Sequence, residues 1–198
     1  MILHEPDVAL TDFLLSAECF LFSVYLLRRS SGRLGGFLFS ALCLSSFLGA
    51  VFHGFFPYKE ATPLGFAVWI LVLSSIGLTA VSIWFLVFHL LKSPPWTRLL
   101  VLGGFVGYLL YALFIDHSFR TAIFFYLPPL VVFLLVLVFQ GKKENLLGIL
   151  GCLLTLGAAV VQQEHLGLPQ FHLNHNAIYH LIQAVALALL FLALKRIA

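Results

Sequence analysis

The sequence is short of charge. Eleven basic and eight acidic residues make up only 10% of its 198 positions, whereas a soluble domain carries about 25% charged residues. So little charge excludes an ordinary water-soluble globule. No polar run is long enough for a linker or a second soluble domain, so one compact unit over residues 1–198 is expected. Cysteine is also scarce. Cys19, Cys43 and Cys152 lie inside apolar stretches at unrelated spacings, which excludes a disulfide framework and a CxxC metal pattern and leaves them as small buried residues. The helical metalloprotease pattern H-E-x-x-H is missing as well. The opening residues, Met1 to Asp7, have neither the basic stretch nor the small-residue cleavage site of a secretory leader, so the first apolar segment is expected to remain.

Apolar length is what the chain has instead. Hydrophobic residues make up 62% of it and the mean hydropathy is +1.06. A hydrocarbon core about 30 Å thick needs about 20 apolar residues in helical form. Seven segments meet that requirement: Val8 to Leu27, Gly35 to Phe56, Leu64 to Leu91, Thr97 to Ile115, Thr121 to Gln140, Asn145 to Gln163 and Asn176 to Leu194. The expected fold is therefore an all-α bundle of seven transmembrane helices. Pro128-Pro129 should kink the fifth by removing backbone donors.

Nine of the eleven basic residues fall at one end of these segments: Arg28, Arg29, Arg33, Lys92, Arg98, Lys142, Lys143, Lys195 and Arg196. The positive-inside rule makes that end cytoplasmic, with the N-terminus outside and the C-terminus inside a plasma or inner membrane. It also accounts for the net charge of +3 without a nucleic-acid partner. Most acids, including Glu5, Asp7, Asp12, Glu60 and Asp116, lie toward the other end, and every histidine but His89 goes with them. Neutral histidine contributes nothing to topology. An outward-facing polar site is the simplest cause.

The densest part of that end is Phe171 to Gln183, with His172, His175 and His180. Asn176, His180 and Gln183 share one face of the seventh helix at spacings of four and three. His175 is five residues from His180 and can join it only from a position at or before the helix cap, for which Asn174 or Asn176 is suited. His53 stands near the outer end of the second span, where an imidazole in apolar surroundings needs a partner. Glu18 is about ten residues into the first span and must be protonated, paired or bound to a cation at that depth. Asp116 and Arg120, four apart, suit an exposed ion pair.

A small residue four before a histidine at the end of helix 2, acids at the start of helix 1 with Glu18 inside it, and a histidine one turn into helix 7 resemble a known pattern. It is that of the CREST membrane hydrolases, the superfamily of alkaline ceramidases and adiponectin-type receptors. That superfamily carries Ser-x-x-x-His on helix 2, an Asp near helix 3 and His-x-x-x-His on helix 7, with three histidines on a zinc ion. His53 and His180 match ligand positions, while Gly49 replaces the serine and Asn176 the first histidine of the pair. The resemblance implies a zinc site of His53 and His180 with His175 or His172, Asp12 or Asp116 as acid/base groups, and Glu18, Asn176 and Gln183 around them. It also implies calcium near Glu5, Asp7 and Glu18. Zinc would lower the pKa of a water to about 7 for attack on a lipid amide or ester. The alternative is a metal- or proton-responsive receptor that breaks no bond, since histidine titrates where an external pH signal acts.

Overall fold

The computed structural model describes residues 3–58, 61–171 and 173–197. Seven helices fill it: α1 (Pro6–Leu27), α2 (Arg33–Phe55), α3 (Pro63–Leu90), α4 (Trp96–Phe114), α5 (Phe119–Phe139), α6 (Leu146–Gln163) and α7 (His175–Ile197). Among the described residues there is no β-strand, only one isolated bridge between Leu168 and Leu173. All seven helices are long and apolar enough to cross a membrane. Each boundary falls within a few residues of the expected one, because apolar length and helix ends are both local properties of the chain. Pro63 opens α3 at a position where no intrahelical N–H is needed, and the Thr62 side chain accepts from Gly65 N. Pro128 and Pro129 lie within α5, and the helix runs on through both.

Neighbouring helices form a ring in the order α1, α2, α3, α5, α6, α7, which closes where α7 packs on α1. The remaining helix, α4, lies outside it against α3 and α5. Burial reflects this. In their most apolar windows 56% of α3 is buried but only 11% of α4. Two apolar cores fill the ring. The larger includes Leu26, Phe39, Leu137 and Cys152, and the smaller is built on Phe52, Trp69, Leu73 and Tyr108. At the basic end, Asn145 Nδ2 donates to Leu137 O and ties the end of α5 to the start of α6.

The α6–α7 contact depends on a missing side chain. A Cβ on Gly151 would stand 2.8 Å from Ala186 O and 2.7 Å from Leu190 Cγ. Backbone cannot rotate out of the way as a side chain can. Gly151→Val is expected to destabilise the bundle by about 1–3 kcal/mol, the usual cost of overpacking, as measured by reversible unfolding in mixed micelles.

Candidate functional site

The polar end of the ring starts with the chain before α1. His4 N donates to Gly54 O at 3.1 Å and Glu5 N to His53 O at 3.2 Å, so two terminal carbonyls of α2 are satisfied by this segment. The pairing sets the Glu5 carboxylate on His53 Nδ1. Two residues further, Asp7 Oδ2 accepts from Asn174 N at 2.9 Å, which fastens the start of α7 to α1. Asn174 is also the cap of α7, accepting from Ala177 N at 3.0 Å.

That anchoring positions His180 against α1. Its Nδ1 lies 3.1 Å from Thr11 Oγ1 and its Nε2 3.3 Å from Asp12 Oδ1, and all three residues are buried. The one proton of the Thr11 hydroxyl is within reach of the backbone carbonyls of Asp7 and Val8 at 2.8 and 3.0 Å as well as of His180 Nδ1. When the hydroxyl donates to a carbonyl, Nδ1 of His180 carries the proton and Nε2 of the neutral ring presents a lone pair to Asp12; when it donates to Nδ1, Nε2–H donates to the carboxylate. In the first arrangement a lone pair faces a carboxylate oxygen. Two acceptors at this distance repel unless a proton or a metal ion lies between them. Glu5 likewise holds His53 through Nδ1. Carboxylate and hydroxyl partners on the far nitrogen are the arrangement that orients metal-binding imidazoles.

Asp12, His53 and His180 line one cavity of about 230 Å³. Gly49 opens the room for the carboxylate, since a Cβ there would stand 2.7 Å from Asp12 Oδ2. Asn176, Tyr179 and Gln183 line the same cavity from α7, as do Tyr126 from α5 and Thr155 from α6. These are joined in a chain. Thr155 Oγ1 donates to Gln183 Oε1 at 3.2 Å, Gln183 Nε2 donates to the Tyr179 hydroxyl at 3.2 Å, and Tyr179 is hydrogen-bonded to Tyr126. Gln162 Nε2 donates to Asn176 Oδ1 at 3.4 Å.

Other expected site residues are elsewhere. His175 is the first residue of α7 and pairs with His165, at 3.1 Å between Nε2 and Nδ1, rather than lining the cavity. Five residues at 100° each place it about 140° around the helix from His180. His172 and Glu60 lie outside the described residues. Among the described residues no group of three or more His, Cys, Asp and Glu side chains is close enough to hold a metal ion. Of the expected ligands, His180 meets Asp12 directly and His53 lines the same cavity.

Glu18 does not line the cavity, and its Oε2 is buried without a hydrogen-bond partner among the described residues. It lies eleven residues beyond Asp7, about 16 Å along the helix. Calcium ligands stand at 2.3–2.6 Å, so Asp7 and Glu18 cannot share one ion. Asp116 is in the α4–α5 connection, away from Asp12. Its oxygens accept from Ser118 N at 2.9 Å, Ser118 Oγ at 3.1 Å and Thr121 Oγ1 at 2.8 Å, so it organises the start of α5.

The backbone N–H of Ser118, then the Thr121 and Ser118 hydroxyls, hold the Asp116 carboxyl below its usual range. A lowered folded-state pKa contributes stability that is present above the unfolded value and is lost as pH falls through the folded one. Asp116→Asn is therefore expected to remove part of the loss of thermal stability as pH falls from about 5 to below the unfolded carboxyl value of about 4. Parallel melting series of the two proteins would reveal it, and identical slopes would show that the cap contributes nothing.

Fold and site together define a seven-helix protein of membrane-spanning build, with a buried carboxylate–imidazole centre at one end of the ring. Residues 8–198 match the profile of DUF6962, a family of unknown function, and the chain belongs to that family. No curated protein and no solved structure matches it.

Proposed function

We propose that the chain is a membrane-embedded, metal-dependent hydrolase of a lipid amide or ester, a divergent relative of the ceramidase and adiponectin-receptor superfamily. The observation that carries this reading is the opposition of His180 Nε2 and Asp12 Oδ1 at 3.3 Å while Nδ1 is held by Thr11. With the proton on Nδ1, both atoms present lone pairs to one point beside the cavity, a point that a cation would occupy. When bound, a zinc-like ion supplies Lewis acidity for the carbonyl and for an attacking water. Thr11 and Glu5 hold the two imidazoles in one tautomer. Asp12 is placed to take a proton from the water and pass it to the leaving group. The Tyr126–Tyr179–Gln183–Thr155 chain lines the space beside these groups and orients the polar part of the substrate.

The lower cavity supports a lipid substrate. Its lining on α2 extends from His53 to Leu38, fifteen residues or about 22 Å. Below the polar centre it is walled by Leu42, Ile83, Leu130, Phe133, Leu187 and Leu190. One leaflet of hydrocarbon is about 15 Å deep, so a single acyl chain fits with its carbonyl near Asp12. The distribution of basic residues puts this centre at the extracytoplasmic side. Reporter fusions after Arg33, Pro94 and Ala198 should then read cytoplasm and those after Ala61 and Gly167 outside, and one reversed loop would overturn the orientation.

The main test combines metal content with turnover. Purified protein is expected to retain zinc or another transition metal, to lose part of it on His53→Ala and on His180→Ala, and to release fatty acid from a panel of ceramides, esters and lysolipids in a chelator-sensitive way. A protein that binds no metal sinks the hydrolase. Metal binding with no turnover across the panel supports the non-catalytic receptor.

A further inference from the structure

Outside the cavity, the connection between α6 and α7 brings together two imidazoles that the central site does not use. His165 Nδ1 and His175 Nε2 are 3.1 Å apart, with the ring planes at 83°. His165 is exposed and His175 half-buried. From this geometry we infer a second, accessory metal site, in which His165 and His175 bind one imidazole-preferring divalent ion such as zinc or nickel at the mouth of the bundle. The inference does not rest on the hydrolase reading.

Three features support it. Two Zn–N bonds of about 2.0–2.1 Å at a near-tetrahedral angle separate the nitrogens by about 3.3 Å, and the observed distance is within a few tenths of that. Backbone bonds close the loop between the two histidines. Leu168 N donates to Leu173 O at 2.8 Å and Leu173 N to Leu168 O at 3.3 Å, so a small closed turn sets the spacing between the two histidines. Negative charge is also at hand, since Glu5 is close enough to act electrostatically on His175.

The backbone adds a fourth point. His165 follows the last turn of α6 with φ +53°, and Leu166 N donates to Val161 O at 3.0 Å. Helix ends of this form favour glycine at the left-handed position. Lys92 closes α3 with the same φ, so the turn alone does not make a site. What sets His165 apart is the second imidazole facing it. No third His, Cys, Asp or Glu completes the pair among the described residues, so water fills the remaining positions and the ion exchanges readily. An ion held there would brace the start of α7, whose Asn174 is fastened to Asp7 and whose His180 reaches Asp12.

Full-length protein in micelles, stripped with chelator and dialysed against buffered zinc, provides the test. His165→Gly is the informative variant, because glycine accepts the left-handed backbone and the metal-free protein should melt no lower than the parent. His165→Gly and His175→Ala are each expected to carry one equivalent of zinc per chain less than the parent. His53→Ala and His180→Ala are expected to keep that equivalent whatever happens at the centre. If His165→Gly and His175→Ala bind as much zinc as the parent, the two imidazoles share only a hydrogen bond and the accessory site is refuted. Should the centre bind no metal, the parent would carry one equivalent and only the loop variants would lose it, so the two readings fail separately.

Discussion

Asp12→Asn is expected to abolish metal binding and turnover while leaving the metal-free protein at least as stable as the parent. The reason is the orientation of His180. With Nδ1 donating to Thr11, Nε2 offers a lone pair to a carboxylate that can only accept. The asparagine amide has the same shape and supplies a donor, so the conflict disappears without a cation. In that tautomer, removal of the carboxylate facing the lone pair should stabilise the apo protein by about 1–3 kcal/mol. Loss of a positioned acid/base group lowers the rate by about 10²–10⁴-fold. The competing picture is Nε2–H of His180 donating to Asp12, as a neutral imidazole or as the imidazolium of a buried ion pair. Breaking a buried ion pair destabilises by about 3–5 kcal/mol. Chemical unfolding of chelator-treated parent and variant therefore separates the two, and a large loss of stability in the variant would remove the main support for a metal at this centre.

Gly49→Ser should have the second largest effect. The new Cβ would be 2.7 Å from Asp12 Oδ2, and Asp12 is only 4% exposed, so its carboxylate cannot swing into open space. Overpacking of this kind costs about 1–3 kcal/mol, and the displaced carboxylate would leave His180. Turnover and central metal binding should both be lost. A control distinguishes site damage from general intolerance of side chains at helical glycines. Gly103 on α4 has nothing within 4 Å of its missing Cβ. Gly103→Ala should keep activity and gain up to about 1 kcal/mol from helix propensity. If Gly49→Ser were as active as the parent, Asp12 would not be the group that the chemistry depends on.

The seven helices were legible from the chain because a membrane span is a one-dimensional property: enough apolar residues in a row, bounded by charge, proline or a capping side chain. Asn174 as the cap of α7 is local in the same way. His53 and His180 stood out because ionisable groups in apolar helices are costly and so are seldom without a partner, and Glu18, which stood out for the same reason, does not line the cavity. What those partners are was not legible. Glu5 reaches His53 across 48 positions and Thr11 reaches His180 across 169, and no spacing rule relates residues on different helices. The same limit explains His175, whose neighbour His165 comes from the preceding helix end. It also explains Tyr126, Tyr179 and Thr155, which as isolated residues look like packing and become a polar chain only once α5, α6 and α7 face one cavity. Composition and periodicity thus determined the class of protein and the end of the bundle that bears the site. Ring closure of α1 on α7 decided which atoms meet, because the contacts between Asp12, Thr11 and His180 exist only when the two ends of the chain pack side by side.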